Sequence, residues 1–230
     1  MDQTRAEETD PHALARALMV DGQIRPNRIS DPRILAAMRA LPRERFVPPA
    51  QSALAYADEN VPLGKGRVMP APLTVARLVQ SARPEAGERA LVVAANTGYG
   101  AALLAACGVS VTALEDDAAL AAQARRTLAD LSPGVEVLEG RLDEGAPTRG
   151  PFDIIIIEGA VRAPPAALLG QLRPGSGRIV IVRKGPGASG HGMGQIVLGE
   201  PTRGGLGMRA LHDCALPELP ALCPAPGFVF

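Results

Sequence analysis

Residues 89–105 read RALVVAANTGYGAALLA. Ala90 to Ala94 form an apolar run of strand length, Asn96-Thr97-Gly98 is a polar, glycine-bearing turn, and an Ala/Leu-rich helix opens at about Tyr99. A strand that feeds a helix through a short small-residue loop leaves backbone N–H groups free at the helix start, with a partial positive charge beside them. Such a loop reads either as a ligand loop or as a plain strand-to-helix turn. It matches neither G-x-G-x-x-G nor the Walker A pattern, so it does not point to a dinucleotide or a nucleoside triphosphate.

Outward from this stretch toward the C-terminus, strand-like and helical runs alternate. Ser110–Leu114 precedes a helix over Ala118–Leu131, Val135–Leu138 precedes a loop, Asp153–Ile157 precedes a helix over Pro165–Leu172, and Arg178–Val182 follows. Apolar strands without polar alternation, separated by helices, predict a parallel sheet covered on both faces. Beyond the glycine-rich 184–194 loop, Gly194–Leu198 and Met208–Leu216 predict two antiparallel strands, and the terminal Phe-Val-Phe is expected to dock on the sheet. Glu115 ends the second strand about 20 residues after the loop, where a carboxylate can accept hydrogen bonds from a ribose diol. Asp116 and Asp117 read equally as first-turn acids of the helix that follows.

Toward the N-terminus, residues 1–10 read as a frayed tail. Helices are expected over Pro11–Val20, from Pro32 (capped by Ser30 or Asp31) to Pro42, and over Pro72–Ala82, with Met19–Asn27, MVDGQIRPN, a loop. Residues 43–72 carry no periodicity and are rich in Pro and Gly, which marks a long functional or disordered segment. This organisation predicts an N-terminal helical and loop extension over residues 1–82, packed on an α/β core over residues 83–230.

Composition narrows the partners. Lys+Arg and Asp+Glu balance at 24 each, and aromatics make up 3% of the chain without a Trp, so neither a basic footprint nor a stacking platform for nucleic acid is present. The longest aliphatic run, Ile154 to Ile157, is too short to span a bilayer. Cys107, Cys214 and Cys223 form no CxxC, and together with the acidic, polar N-terminus they predict a cytoplasmic protein. His12, His191 and His212 lack metal-ligand spacing, so no metal site is expected. Arg25, Arg28, Arg43 and Arg45 could bind an anion but read better as a solvated basic face. The sequence carries no signal for oligomeric state.

Several segments in order resemble the protein-L-isoaspartate O-methyltransferase family: RERFVPP, AYADENVPL with GKG, TGYGAALLA, VTALEDD, and PFDIIIIEGAVRAPPAALLGQLRPGSGRIVIV. Together they cover most of residues 14–230. The resemblance implies a doubly wound, mostly parallel seven-stranded Rossmann-like methyltransferase sheet ending in a C-terminal antiparallel hairpin. It implies S-adenosyl-L-methionine as cofactor, with Asn96, Thr97, Gly98 and Tyr99 on its amino-acid end, Glu115 on its ribose and Ala94 in the same cofactor loop. Asp116, Arg141 and Leu142 would complete the cofactor site, and a protein or peptide carrying isoaspartate would be the substrate.

The sequence departs from the family pattern on the ligand side. Val92 stands for the acid of the cofactor loop, and Ala94 and Asn96 for its first two glycines. In Arg67-Val68-Met69-Pro70, Val68 replaces Thr and Pro70 replaces the Ser of the substrate segment, which leaves Asp58 as the nearby catalytic candidate. Arg141 stands where an acid near the adenine is expected, with Asp143 or Glu144 able to substitute. Glu158 is expected to add a negative charge beside the site, which disfavours an isoaspartyl carboxylate substrate unless Lys65, Arg67 or Arg162 offsets it. A non-catalytic binding or regulatory protein on the same scaffold, or a methyltransferase for a different substrate, is the competing expectation.

Overall fold

The computed structural model of the chain describes residues 10–185 and 192–223. His191, the tail before residue 10 and the terminal Phe-Val-Phe lie outside them, as does the middle of the 184–194 loop. Seven strands form the main sheet: β3 (Arg89–Val93), β4 (Ser110–Glu115), β5 (Glu136–Glu139), β6 (Ile154–Val161), β7 (Arg178–Arg183), β8 (Gly194–Thr202) and β9 (Gly205–Cys214). They lie in the order β5-β4-β3-β6-β7-β8-β9. Strands β3 to β7 pair in parallel, whereas β8 and β9 run antiparallel to their neighbours. A separate antiparallel hairpin joins β1 (Val61–Gly64) to β2 (Arg67–Met69).

The apolar strands are those expected, and the reason is visible in their burial. All eight residues of β6 are buried, and alternate residues of β3 serve opposite faces. Ala90 and Val92 join a large cluster that runs from Met19 to Leu216, while Leu91 and Val93 join a second cluster with Leu114, Ile155 and Phe152. The helices α1 (Pro11–Met19), α2 (Pro32–Ala40), α3 (Pro72–Ala82) and α4 (Tyr99–Ala105) contribute to the first cluster. Helix α3 packs against β6, β7, β8 and β9, so apolar packing crosses residue 82 without a break. Helix α5 (Ala118–Leu131) lies against β4 and β5. Its cap is Asp117, whose carboxylate accepts from the N–H groups of Ala119 and Leu120, and Asp31 caps α2 in the same way through Arg33.

Four local expectations change. Val20–Ile24 is not a loop but a π-helical turn that continues α1, because Val20 and Ile24, four residues apart, are both fully buried. Residues 43–72 are not uniformly irregular. Lys65 and Gly66 both take positive φ, which closes a two-residue hairpin turn and returns Arg67 beside β1. The helix after β6 is confined to α6 (Ala166–Leu169): Leu172 bridges to Phe152, and the Gln171 side chain bonds the backbone of Glu144, Ala146 and Ala167. The C-terminal hairpin is longer than its apolar core suggests, extending to Thr202 and from Gly205.

Because β4 and β5 lie on one side of β3 and β6 and β7 on the other, the strand order reverses beside β3. That is where ligands bind in an open α/β sheet, at the carboxyl ends of the strands. The 94–98 loop and Glu115 both sit at such ends.

Candidate cofactor and substrate site

The loop between β3 and α4 keeps a glycine-type backbone without the glycines. Ala94, Asn96 and Gly98 all occupy the left-handed region, with φ of 58°, 54° and 95°. For a non-glycine residue this costs about 1–2 kcal/mol each, less for Asn. The loop is held by the N–H of Ala95 on the carbonyl of Leu114, and of Gly98 on that of Ala95.

Glu115 closes the loop from the side. Its carboxylate is fully buried and receives five donated hydrogen bonds. Oε1 accepts from Arg67 Nη1 at 2.8 Å and from the N–H groups of Asp116 and Asp117 at 3.0 Å. Oε2 accepts from Arg67 Nη2 and from the Asn96 N–H, both at 2.7 Å. Burial pushes the Glu115 carboxyl up, and the Arg67 guanidinium pulls it back. The five donors at its two oxygens favour the ionised form against that burial. Arg67 also reaches Asp116 at 2.8 Å, and Lys65 reaches Asp117 at 2.7 Å. The hairpin turn that the sequence did not suggest is thus what delivers two cations to the strand end.

A cavity of about 260 Å³ opens beside this pair, between Lys65, Arg67, Asp116, Asp117, Leu142 and the 219–221 turn. Its volume falls just below the roughly 300 Å³ at which pockets for small organic ligands begin, and Arg67 forms part of its wall. Among the expected cofactor residues, Asp116 and Leu142 border the cavity. Ala94, Asn96, Thr97, Gly98, Tyr99 and Glu115 are buried and do not. Arg141 is exposed and pairs with Asp143 at 2.7 Å and Glu144 at 2.9 Å, which turns all three charges to one another. Asp58 is exposed and does not border the cavity.

Behind the loop lies a second polar cluster. Arg43, expected on a solvated face, is instead fully buried. It donates to the carbonyls of Ala55 and Pro70 and lies 4.6 Å from the centre of the Tyr99 ring. Arg43 therefore ties the Pro70 segment to the loop helix. Glu158 is buried as well, and burial pushes its carboxyl up to about 8, against the opposing pull of the Asn96 amide, Arg43 and Arg67. It is largely protonated at neutral pH, so the expected negative charge beside the site is absent. Nor are the three offsetting cations directed at it: Arg67 holds Glu115, Lys65 holds Asp117, and Arg162 faces Glu218 at 3.3 Å.

Glu158 also explains Gly100. A Cβ at residue 100 would stand 1.6 Å from Glu158 Oε1 and 3.2 Å from Val75 Cγ2. Gly100→Ala is expected to lower stability by about 1–3 kcal/mol, the usual penalty of overpacking. Chemical denaturation of Gly100→Ala and of the double variant Gly100→Ala/Glu158→Ala checks this, because trimming Glu158 should recover most of the loss.

The residues present accommodate the implied cofactor in one specific respect. Both polar atoms of the Asn96 amide, Thr97 Oγ1 and the Tyr99 hydroxyl are buried without a hydrogen-bond partner. Glu158 lies close enough to the Asn96 amide, and Arg43 to the Tyr99 hydroxyl, for each pair to interact, but neither pair forms a hydrogen bond of full geometry. Unpaired groups clustered at a strand-end loop are what a polar ligand would satisfy.

The sequence profile of the protein-L-isoaspartate(D-aspartate) O-methyltransferase family matches residues 15–187. The chain belongs to this family. It is 42% identical over 184 residues to the protein-L-isoaspartate O-methyltransferase of Methylorubrum extorquens (strain PA1), covering 80% of each chain. It is 41% identical over 170 residues to that of Koribacter versatilis (strain Ellin345), covering 74% of this chain and 76% of the relative. A solved protein-L-isoaspartate O-methyltransferase superposes with a TM-score of 0.76 at 20% identity, over 89% of this chain and 65% of that longer one. A Plasmodium falciparum structure assigned to the same activity, in complex with S-adenosyl-L-homocysteine, gives 0.71 at 18% identity over 91% and 98%. These two likenesses establish the methyltransferase fold, and the family is one of S-adenosylmethionine-dependent methyltransferases. No helix among the described residues is long and apolar enough to cross a membrane.

Proposed function

We propose that this chain binds S-adenosylmethionine at the end of β3 and β4 and directs its methyl group to the free α-carboxylate of an isoaspartyl residue, whose side-chain carboxyl is tied up in the peptide bond, in a protein or peptide. The observation that carries this reading is the left-handed loop at Ala94, Asn96 and Gly98 meeting Glu115 through the Asn96 N–H. Glu115 would hold the ribose diol. The unpartnered polar atoms of Asn96, Thr97 and Tyr99 would face the amino-acid end, and Asp116 and Leu142 the base. When bound, the cofactor supplies an electrophilic methyl group whose departure leaves a neutral thioether.

The work of this chain is then positional. An isoaspartyl carboxylate is already ionised at neutral pH, so no general base is required, and the absence of a hydroxyl at Pro70 removes no proton acceptor. Holding the two reactants in line supplies much of the rate. Arg43 serves that end by fixing the Pro70 carbonyl against the α4 side of the site, and the protonated Glu158 leaves the buried wall uncharged. The three cysteines, all free, favour the reducing cytoplasm as its setting.

Incubation with methyl-labelled S-adenosylmethionine and an isoaspartyl peptide tests the reading. Label should pass to the peptide as a base-labile ester, and the matching aspartyl peptide should stay unlabelled. Transfer to neither peptide would contradict the proposed substrate.

A further inference from the structure

We propose that Arg67 anchors the substrate carboxylate and is masked by Glu115 until the cofactor arrives, so that the two ligands bind in a fixed order. This inference rests on the proposed S-adenosylmethionine site. It starts from a conflict in the geometry: the carboxylate that would hold the ribose has no acceptor position left. Its five donors include both terminal nitrogens of Arg67, in the two-pronged arrangement that suits a guanidinium and a carboxylate. The three backbone N–H groups are fixed by the fold, so only Arg67 can give way.

Several observations say that it can. Arg67 lies on a short two-stranded hairpin outside the main sheet, next to a turn whose Lys65 side chain is four-fifths exposed. Its own side chain is 11% exposed, whereas that of Glu115 is wholly buried, and it already shares Nη1 with the more exposed Asp116. It stands in the wall of the cavity, so rotation away from Glu115 both widens the cavity and leaves a guanidinium at its mouth.

What the released guanidinium would bind follows from its surroundings. The segment it heads continues to Pro70, which has neither a hydroxyl nor an N–H to offer a carboxylate. Arg67 and Lys65 are the cations bordering the cavity, and Lys65 is held by Asp117. A planar carboxylate on the substrate reproduces for Arg67 the bidentate partner it loses when a ribose diol takes Glu115. Cofactor binding therefore creates the substrate site, and a substrate presented first meets a guanidinium already paired.

Arginine-specific labelling of the wild-type chain by phenylglyoxal, read by peptide mass spectrometry, follows the exchange directly. Labelling at Arg67 should rise several-fold when S-adenosylhomocysteine is added and fall again when an isoaspartyl peptide is added to that complex. Unchanged or diminished labelling at Arg67, with S-adenosylhomocysteine shown by calorimetry to be bound, would overturn the inference while leaving the cofactor site intact. No calorimetric binding at all would instead overturn the site on which it rests.

Variants supply the second measurement. Arg67→Gln should tighten S-adenosylhomocysteine binding about tenfold, because the competent state no longer has to be released. It should raise the peptide KM by roughly tenfold or more with little change in kcat, the loss expected for one charge-assisted pair. Arg67→Lys, which keeps the charge but not the fork, should restore part of the peptide KM. Equal S-adenosylhomocysteine affinity in wild type and Arg67→Gln would contradict the masking, and an unchanged peptide KM would contradict the anchoring.

Discussion

Glu158→Gln should make the protein more stable at alkaline pH, by up to about 5 kcal/mol. The carboxyl at residue 158 titrates near 4.5 when exposed to water, but burial pushes it up to about 8 in the folded chain. Between these values the folded state holds a proton that the unfolded state has released. Stability from this group is therefore complete below about pH 4.5 and falls as pH rises, until the folded carboxyl ionises near 8 and the loss levels off. At about 1.36 kcal/mol for each pH unit, the full loss approaches 5 kcal/mol. Glutamine keeps the shape and the donor of the protonated acid and does not ionise. Urea denaturation at about pH 5 and about pH 9 checks this, since the gap between wild type and Glu158→Gln should open with pH. A variant with the same pH slope as wild type would show that Glu158 is charged in the fold.

The second large effect concerns Glu115. Glu115→Gln replaces one acceptor oxygen by an NH2 group that must face either the Arg67 guanidinium or a backbone N–H, all of which donate. It also leaves Arg67 without its buried counter-charge. Breaking a buried pair from one side costs about 3–5 kcal/mol, and Arg67, with some access to solvent, places the expected loss near the lower end. Adding Arg67→Gln to Glu115→Gln should be less damaging than the sum of the two single changes, because each removes the same pair. Thermal or chemical denaturation of the four proteins measures this coupling. Strict additivity would mean that Glu115 and Arg67 do not depend on each other.

The sheet was legible because its strands are apolar on both faces. Ile154–Ile157 and Ile179–Val182 leave no polar stripe for solvent, and pairing β3 between β4 and β6 needs nothing more than these runs and the helices between them. Helix α3 was legible from Pro72 at its start and from Val75, Leu78 and Val79 on its inner face. Local features that depend on one tertiary neighbour were not. The hairpin at Lys65-Gly66 is a two-residue turn with positive φ at both positions, hidden in a stretch whose Pro and Gly content reads as loop. A Gly-Lys-Gly between two short apolar runs was the available signal.

The site divides along the same line. Glu115 could be placed from its distance to the loop, since a strand end and a chain separation are properties of the sequence. The burial of Arg43, the protonation of Glu158 and the clasp of Arg67 on Glu115 are properties of the space around each charge. No spacing rule reports whether a charge faces water or a carbonyl. Arg141, which only the family resemblance ties to the cofactor, turns its side chain to the two acids at residues 143 and 144, a pairing that its place in the chain does not report.

The most direct test of the cofactor site is calorimetric titration of S-adenosylhomocysteine into the wild-type chain and into Glu115→Gln. The wild-type chain should bind one ligand saturably, and binding should weaken about tenfold or more in the variant, as the loss of a charged hydrogen-bond acceptor requires. Absence of heat with the wild type at millimolar ligand, or equal affinity in the two proteins, would contradict it.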